Sequence, residues 1–166
     1  MFSKEVRCVP AKVSPMVIEV DLKLWHTSRN RQPPRRLGRL RDAELNRQCR
    51  ILLKRGVIRL SRASHHLHAF LVPKSNGEWR FVLDFQGLNK ATTNVERWPI
   101  PNIGDMLRNI GDKHPMYFCV MDLTSGFYQA PLAKESMHLT AFITTMGCYE
   151  WTRVPFLGGP HGIGSR

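Results

Sequence analysis

The sequence contains no long hydrophobic run. Its longest uninterrupted apolar stretch, residues 116–121, is MYFCVM, whereas a helix that crosses a bilayer needs about 20 apolar residues. The N-terminal region carries charged residues among Val and Pro, and it has no apolar core of the kind found in secretory signals. These absences exclude membrane insertion and predict an intracellular protein.

Cysteines and acidic residues are also scarce. None of the four cysteines lies in a C-x-x-C spacing, so neither a zinc ribbon nor a disulfide framework is indicated. We expect the cysteines to be reduced and buried: Cys8, Cys49, Cys119 and Cys148. The chain of 166 residues has 13 acidic against 25 basic residues, a formal net charge of +12. For one domain of this size, such an excess indicates a nucleic-acid partner.

Most of the positive charge is concentrated in residues 29–62. This stretch holds 12 basic residues against Asp42 and Glu44, a local balance of 12 − 2 = +10. The alternative is an ordinary solvated helix face, but such faces mix the two signs, so we favour a role in contacting phosphates. If six of these residues reach a duplex, affinity should fall with salt at a log–log slope of roughly −5.

The first half of the chain predicts an arm, a helix and a hairpin. Residues 31–40 contain Pro33-Pro34 and Gly38, so they are expected to form an extended basic arm. Residues 42–55 carry apolar side chains at helical spacing and end at Gly56, which predicts one amphipathic helix. Two strands, within residues 69–72 and 79–85, are predicted to pair through a turn at Asn76-Gly77.

The second half predicts a helix, a strand and a second hairpin. Residues 103–110 have one apolar face and are followed by Gly111, as in a short helix. Residues 116–121 are apolar throughout, which predicts a buried strand that ends at Asp122. A further hairpin is expected within residues 140–152, with its turn at Met146-Gly147.

Asp122 is the first candidate for chemistry. A carboxylate at the end of a hydrophobic strand is well held and can bind a hard divalent cation, although a lone acid in this position is more often a helix cap. A cluster of three histidines, His65, His66 and His68, could bind zinc. Because no Cys or acidic residue stands near them in the sequence, we do not interpret them as a metal site.

The residues around Asp122 favour the catalytic reading. The string VMDLTSGFYQ, which begins at Val120, closely resembles the first catalytic motif of retroelement reverse transcriptases, in particular those of gypsy-type LTR retrotransposons. Four further segments resemble the same family in collinear order: LLKRGVIRLS, FLVPKSNGEWRFVLDFQGLNKAT, WPIPNIGDMLRNIG and LTAFITTMGCYEWTRVPF. The resemblance covers residues 31–156, and a chance match over that many spaced motifs is very improbable.

The resemblance implies a mixed α/β fold, in the α+β arrangement of a right-hand polymerase. Residues 31–100 would form the basic arm and fingers, and residues 101–156 part of the palm with the first catalytic motif. Residues 1–30 are a leader or connection with no assigned role, and residues 157–166 form a divergent tail. The thumb and the second catalytic hairpin are expected to be absent from this chain.

The resemblance also implies a nucleotide site. Asp122 and the main-chain carbonyl of Leu123 would bind Mg²⁺, with Mn²⁺ as an alternative. Lys74 and Arg80 on the fingers hairpin would close over the triphosphate of a deoxynucleotide. The alternative for both cations is plain surface charge.

Three residues after the catalytic motif would complete this site. The main-chain amides of Ser125 and Gly126 would bind phosphate. The ring of Phe127 would occupy the place of a ribose 2′-hydroxyl and so exclude ribonucleotides. Its alternative role is that of an ordinary core aromatic.

Contacts to nucleic acid are implied at two places. Asp84 and Gln86 fall on a finger strand that approaches the template in the family, although most relatives carry Arg where Gln86 stands. The basic arm contributes three arginines, which we expect to contact phosphates: Arg35, Arg36 and Arg39.

The implied activity is template-directed DNA synthesis from deoxynucleoside triphosphates by two-metal phosphoryl transfer, in the cytoplasm or the nucleus. The partners would be a primed RNA or DNA template and further polyprotein modules, namely protease, RNase H and integrase. The family also needs a Tyr-x-Asp-Asp hairpin, but this chain has no adjacent Asp pair, so we expect the chain alone to be inactive and poorly soluble. Two alternatives remain: a non-catalytic nucleic-acid-binding module and the relic of a decayed element.

Overall fold

A computed structural model describes residues 9–94, 101–121 and 126–155. Its centre is one five-stranded mixed sheet, and the strand order is β1-β5-β4-β2-β3. Only the β2–β4 pair is parallel, whereas the other neighbours are antiparallel. The strands are β1 (Ile58–Leu60), β2 (Leu67–Pro73), β3 (Trp79–Leu83), β4 (Phe142–Thr144) and β5 (Gly147–Trp151).

The helices are placed before and between these strands. They are α1 (Leu22–Trp25), α2 (Arg39–Lys54), α3 (Gln86–Ala91) and α4 (Ile103–Gly111), and 3-10 turns span Ser28–Arg31, Gly126–Gln129 and Lys134–Thr140. Together with the sheet, they confirm the predicted mixed α/β class. The predicted helix over residues 42–55 is confirmed as α2, which begins three residues earlier than expected because Gly38, at φ +87°, precedes Arg39.

Both predicted hairpins are confirmed. In the first, β2 and β3 pair from Ala69 opposite Leu83 to Pro73 opposite Trp79. The turn places Gly77 at φ +81°, a left-handed conformation that glycine adopts without steric cost. In the second, β4 and β5 pair through the turn at residues 144–147.

The core lies between α2, the sheet and the N-terminal segment. Leu45 and Cys49 of α2 are buried, and burial raises the pKa of the Cys49 thiol to about 12. An aromatic cluster lies in the same core, where the Phe81 ring meets Phe142 edge-on at 5.4 Å between ring centroids. Such packing of large apolar groups is the main favourable contribution to folding.

Residues 9–27, for which no role was predicted, pack along the fold, and we call this segment the N-terminal strap. Met16 forms a parallel bridge with Leu132, and the Ile18 amide donates to the buried Ser136 hydroxyl at 2.9 Å. The Trp25 side chain at the end of the strap is only 1% exposed. The strap therefore contributes both hydrogen bonds and a large apolar side chain to the core.

The prediction of a buried strand over residues 116–121 is wrong. This stretch has no regular secondary structure, and Phe118 and Val120 are 76% and 92% exposed. A strand needs a hydrogen-bonded neighbour, and among the described residues no strand pairs with this stretch. The preceding helix α4 is confirmed, but it too buries no residue.

The cysteine prediction is partly wrong for the same reason. Cys49 is buried and Cys148 half-buried, but Cys119 lies within the exposed stretch. All three are free thiols, and Cys8 lies outside the described residues. None of the described helices is both long and apolar enough to cross a bilayer.

Candidate functional site

The end of the β2–β3 hairpin presents Lys74 beside an acid. The main chain closes the turn, since the Lys74 amide donates to the Glu78 carbonyl at 2.7 Å. The Lys74 Nζ atom also forms an ion pair with Glu78 Oε2 at 2.7 Å. This hydrogen bond is the main reason that the pKa of Glu78 lies below its ordinary value of 4.5. Any anion that binds Lys74 must therefore compete with Glu78.

Arg80 lies one strand position from Trp79 and therefore on the other face of the sheet, because successive side chains in a strand alternate. Trp79 faces α2, where the Arg41 guanidinium lies over its ring at 5.1 Å from the centroid. Arg80 is exposed and pairs across the strands with Val72. The hairpin thus carries two predicted triphosphate ligands, Lys74 in the turn and Arg80 at the adjoining end of β3.

A cleft of about 460 Å³ separates α2 from the end of the hairpin. Its lining carries charges of both signs: Glu44, Arg47, Gln48, Lys74, Glu78 and Trp79. Arg47 forms two hydrogen bonds with Glu44, at 2.7 and 2.8 Å, which together with Gln48 lower the pKa of Glu44 to about 2. The basic residues of the cleft are therefore already ion-paired in this structure.

The prediction that Asp84 and Gln86 lie on a strand is wrong, because β3 ends at Leu83, Asp84 follows it and Gln86 begins α3. The main-chain amide of Gln86 donates a hydrogen bond to Asp84 Oδ1 at 3.1 Å. A third residue joins them, because Arg29 Nη2 lies 3.1 Å from Asp84 Oδ2 and 3.2 Å from Gln86 Oε1. In the sequence, Arg29 stands out only as a member of the basic stretch, because no spacing pattern links it to Asp84, which lies 55 positions further along the chain.

Gly126 and Phe127 begin the 3-10 turn Gly126–Gln129. The Phe127 side chain is 51% exposed, so the structure contradicts its alternative reading as an ordinary core aromatic. The neighbouring ring of Tyr128 stacks on Trp151 at 5.4 Å, which anchors the turn to the core, and burial raises the pKa of Tyr128 to about 12. The strap supports the same turn, where the Ala11 amide donates to the Gln129 carbonyl at 2.7 Å.

Three residues of the predicted nucleotide site lie outside the described part of the chain. These are Asp122, Leu123 and Ser125. Elsewhere, the residues that the structure does describe include no group of three or more His, Cys, Asp or Glu side chains that could hold a metal ion. The structure therefore describes two parts of the predicted site: the β2–β3 hairpin and the turn that contains Phe127.

The prediction of a basic arm over residues 31–40 is confirmed only for residues 32–38, which are irregular, because Arg31 ends a 3-10 turn and Arg39 and Leu40 belong to α2. Its three predicted phosphate contacts are all exposed, and the last of them opens α2: Arg35, Arg36 and Arg39. The base of the arm is fixed by two histidines, since Arg31 Nε donates to His65 Nε2 at 2.9 Å and His66 Nε2 lies 2.8 Å from the Gln32 carbonyl. His65, His66 and His68 are all buried.

Comparison with known proteins gives the class of protein. No family model matches the chain. It is 34% identical over 125 residues to the retrovirus-related Pol polyprotein from transposon 297, and 40% identical over 118 residues to that from transposon opus, both of Drosophila melanogaster. These matches cover 72% and 68% of this chain. The enzymatic polyprotein of cauliflower mosaic virus (strain Strasbourg) is 38% identical over 117 residues, or 68% of this chain and 17% of the polyprotein.

Solved structures share the fold. The crystal structure of a prototype foamy virus protease–reverse transcriptase mutant superposes with a TM-score of 0.68 at 24% identity, covering 93% of this chain and 20% of that one. A foamy viral protease–reverse transcriptase in complex with double-stranded DNA superposes with a TM-score of 0.65, and the match covers 89% of this chain and 24% of that one.

The chain therefore belongs to the Pol polyproteins of retroelements. Its relatives also include the polyprotein of transposon gypsy at 36% identity. The chain spans only 12% of the length of the transposon 297 and opus polyproteins.

Proposed function

We propose that the longer protein carrying this segment is an RNA-directed DNA polymerase that extends a primer on RNA or DNA. The observation that supports this most directly is the β2–β3 hairpin, which carries Lys74 in its turn and Arg80 on β3 within a fold similar to that of reverse transcriptases. Protease, RNase H and integrase modules are the expected neighbours in the polyprotein, and deoxynucleoside triphosphates are the expected substrates.

The nucleotide would be held between the hairpin and the Phe127 turn. Lys74 supplies a point charge, and the planar Arg80 guanidinium can bind two phosphate oxygens at once. The exposed Phe127 ring offers an apolar surface on which a ribose 2′-hydroxyl would be crowded and left without a hydrogen-bond partner. These three side chains would therefore bind the triphosphate and select its sugar.

The catalytic cation is proposed to be Mg²⁺, held by the Asp122 carboxylate and the Leu123 carbonyl. Both groups are oxygen donors, which this ion prefers, and the bound metal would stabilise the charge that develops on the transferred phosphate. One carboxylate is a poor site for two cations, and the chain offers no adjacent Asp pair. For this reason we propose that the segment alone does not catalyse.

The test is a chimaera in which residues 31–156 of this chain replace the matching segment of the transposon 297 polyprotein. We expect this chimaera to extend a primer with deoxynucleotides, and Asp122→Asn to abolish extension while leaving the protein folded. The isolated chain should give no product, with or without Asp122→Asn. Extension by the chimaera that survives Asp122→Asn would contradict the assignment.

The second candidate is a non-catalytic nucleic-acid-binding module. The observation that favours it is the exposed arm with Arg35 and Arg36, within a stretch whose local charge is +10. It predicts that the chain alone binds single strands and RNA–DNA hybrids, more weakly as salt rises. Binding without salt dependence would contradict this candidate, and an active chimaera would favour the polymerase.

A further inference from the structure

One face of helix α2 is strongly basic and points away from the core. At about 100° per residue, its buried side chains Leu45 and Cys49 define the side that packs on the sheet. On the opposite side, four basic residues fall within an arc of about 80°, and we call them the α2 outer face: Arg39, Arg47, Arg50 and Lys54. All four are exposed.

Acidic residues do not neutralise this face. Asp42 and Glu44 of the same helix lie on either side of the arc, and only Glu44 reaches into it, where it binds Arg47. Among the described residues, no ion pair involves Arg39, Arg50 or Lys54.

The turn between β4 and β5, which is uncharged, contacts α2 beside this face. Arg50 Nη2 lies 3.9 Å from the sulfur of Met146, and Asn46 Nδ2 donates to the Thr145 hydroxyl at 3.3 Å. Three exposed cations thus contribute little to the stability of the fold by charge pairing. A cluster of unpaired like charges is unfavourable in itself, so an external anion would relieve it.

Three residues of the α2 outer face, Arg39, Arg50 and Lys54, do not line the cleft that holds Lys74, whereas the fourth, Arg47, does. Arg80 lies on the face of the sheet opposite to Trp79, and Trp79 faces α2. The helix and the sheet therefore lie between Arg80 and the outer face. A strand bound along Arg39, Arg50 and Lys54 would therefore run outside the cleft and away from Arg80.

We propose that the α2 outer face is a second nucleic-acid-binding surface, which contacts the phosphate backbone of a single-stranded segment. From Arg39 to Lys54 the face is about 22 Å long at 1.5 Å per residue, which equals the length of about six stacked nucleotides at 3.4 Å each. Its long, flexible cations can follow a backbone without reading bases. The surface therefore binds without sequence preference.

The test compares two variants of equal charge in the isolated chain. The first carries Arg39→Gln, Arg50→Gln and Lys54→Gln, and the control carries Lys23→Gln, Lys90→Gln and Lys134→Gln, which removes three exposed lysines from other elements. Affinity for a fluorescent 20-nucleotide RNA of mixed sequence is measured by anisotropy over a series of salt concentrations. We expect the log–log salt slope to fall by about 2 in the first variant, at about 0.7 per lost single-strand contact. The control should keep the wild-type slope.

A footprint on the wild-type chain gives an answer even if the triple variant does not fold. Acetylation of lysines with and without the RNA should show protection of Lys54 and none of Lys90. Equal slopes in the two variants, or equal acetylation of Lys54 with and without RNA, would overturn the proposal. Because neither measurement involves catalysis, failure of the polymerase chimaera would leave this result unaffected.

Discussion

The Arg29 guanidinium connects the N-terminal part of the chain to the end of β3, with its Nη2 atom 3.1 Å from the Asp84 carboxylate. The same atom donates to Gln86 Oε1. Arg29 thereby orients two side chains that we propose to lie near the template. Arg29 also places a positive charge beside Gln86, which is itself neutral.

We predict that Arg29→Ala lowers the free energy of unfolding by at most about 1 kcal/mol, since its side chain is 51% exposed and surface ion pairs contribute little. The substitution should have a larger effect on the affinity for nucleic acid. Without Arg29, the Asp84 carboxylate loses this ion pair and repels phosphate, so the affinity should fall. Urea unfolding measures the first effect, and RNA anisotropy the second. Arg62→Ala, which removes another exposed arginine of the basic stretch, is the matched control. Equal losses of RNA affinity in the two variants would contradict a special role for Arg29.

We predict that Glu78→Gln raises the affinity of the chain for a deoxynucleoside triphosphate about twofold. The substitution removes the anion that competes for Lys74, and the gain is small because exposed ion pairs contribute little. Isothermal titration with deoxythymidine triphosphate measures the change. Glu135→Gln, which removes an exposed acid from another element, should have no such effect.

The same titration distinguishes two kinds of failure. If Lys74→Gln lowers triphosphate affinity and Glu78→Gln leaves it unchanged, the competition by Glu78 is refuted. If neither substitution changes the affinity, the assignment of Lys74 to the triphosphate is refuted as well.

We predict that the protein loses stability as the pH falls below about 6.5. Burial, followed by the charges of Arg31, His26 and His66, holds the pKa of His65 below its ordinary value of 6.5. Burial is also the main cause of the lowered pKa of His68, where the charges of Arg35, His66 and Arg29 act in the same direction and Asp84 opposes them. The unfolded chain therefore binds more protons than the folded one below pH 6.5, so acid favours unfolding.

The contact with Arg31 gives this prediction a specific origin. His65 Nε2 accepts a hydrogen bond from Arg31 and must be unprotonated to do so, and the ring stacks on His26 at 4.3 Å. Urea midpoints at pH 7.5, 6.0 and 5.0 measure the effect. His65→Gln should flatten the pH dependence, and His138→Gln, at an exposed histidine, should leave it unchanged. A flat wild-type profile would refute the prediction.

We predict that the chain associates through α4 and residues 116–121. Leu107 and Val120 are 63% and 92% exposed, and exposed apolar surface of this kind promotes association. Val120→Lys should raise the monomeric fraction in light scattering. Leu40→Lys is the matched control, because Leu40 is 88% exposed but lies on the highly charged helix α2. A monomeric wild-type protein would contradict the prediction.

Local patterns in the sequence determined most of the elements. Helix α2 follows from apolar residues at helical spacing, and the β2–β3 turn follows from Asn76-Gly77, because these signals depend on neighbours only a few positions away. The collinear motifs predicted the family, which the Pol polyprotein relatives confirm. Asp122, Leu123 and Ser125 were singled out from the same motifs, and their roles stay predictions.

Tertiary structure decided which groups meet over long distances in the chain and which apolar groups become buried. No pattern in the sequence pairs Arg29 with Asp84, or Arg31 with His65, because such contacts depend on how whole elements pack. The apolar composition of residues 116–121 predicted a buried strand, but burial requires a partner strand, and none lies beside that stretch in the described residues. Composition thus determined the tendency of each segment, whereas the available neighbours decided whether that tendency was realised.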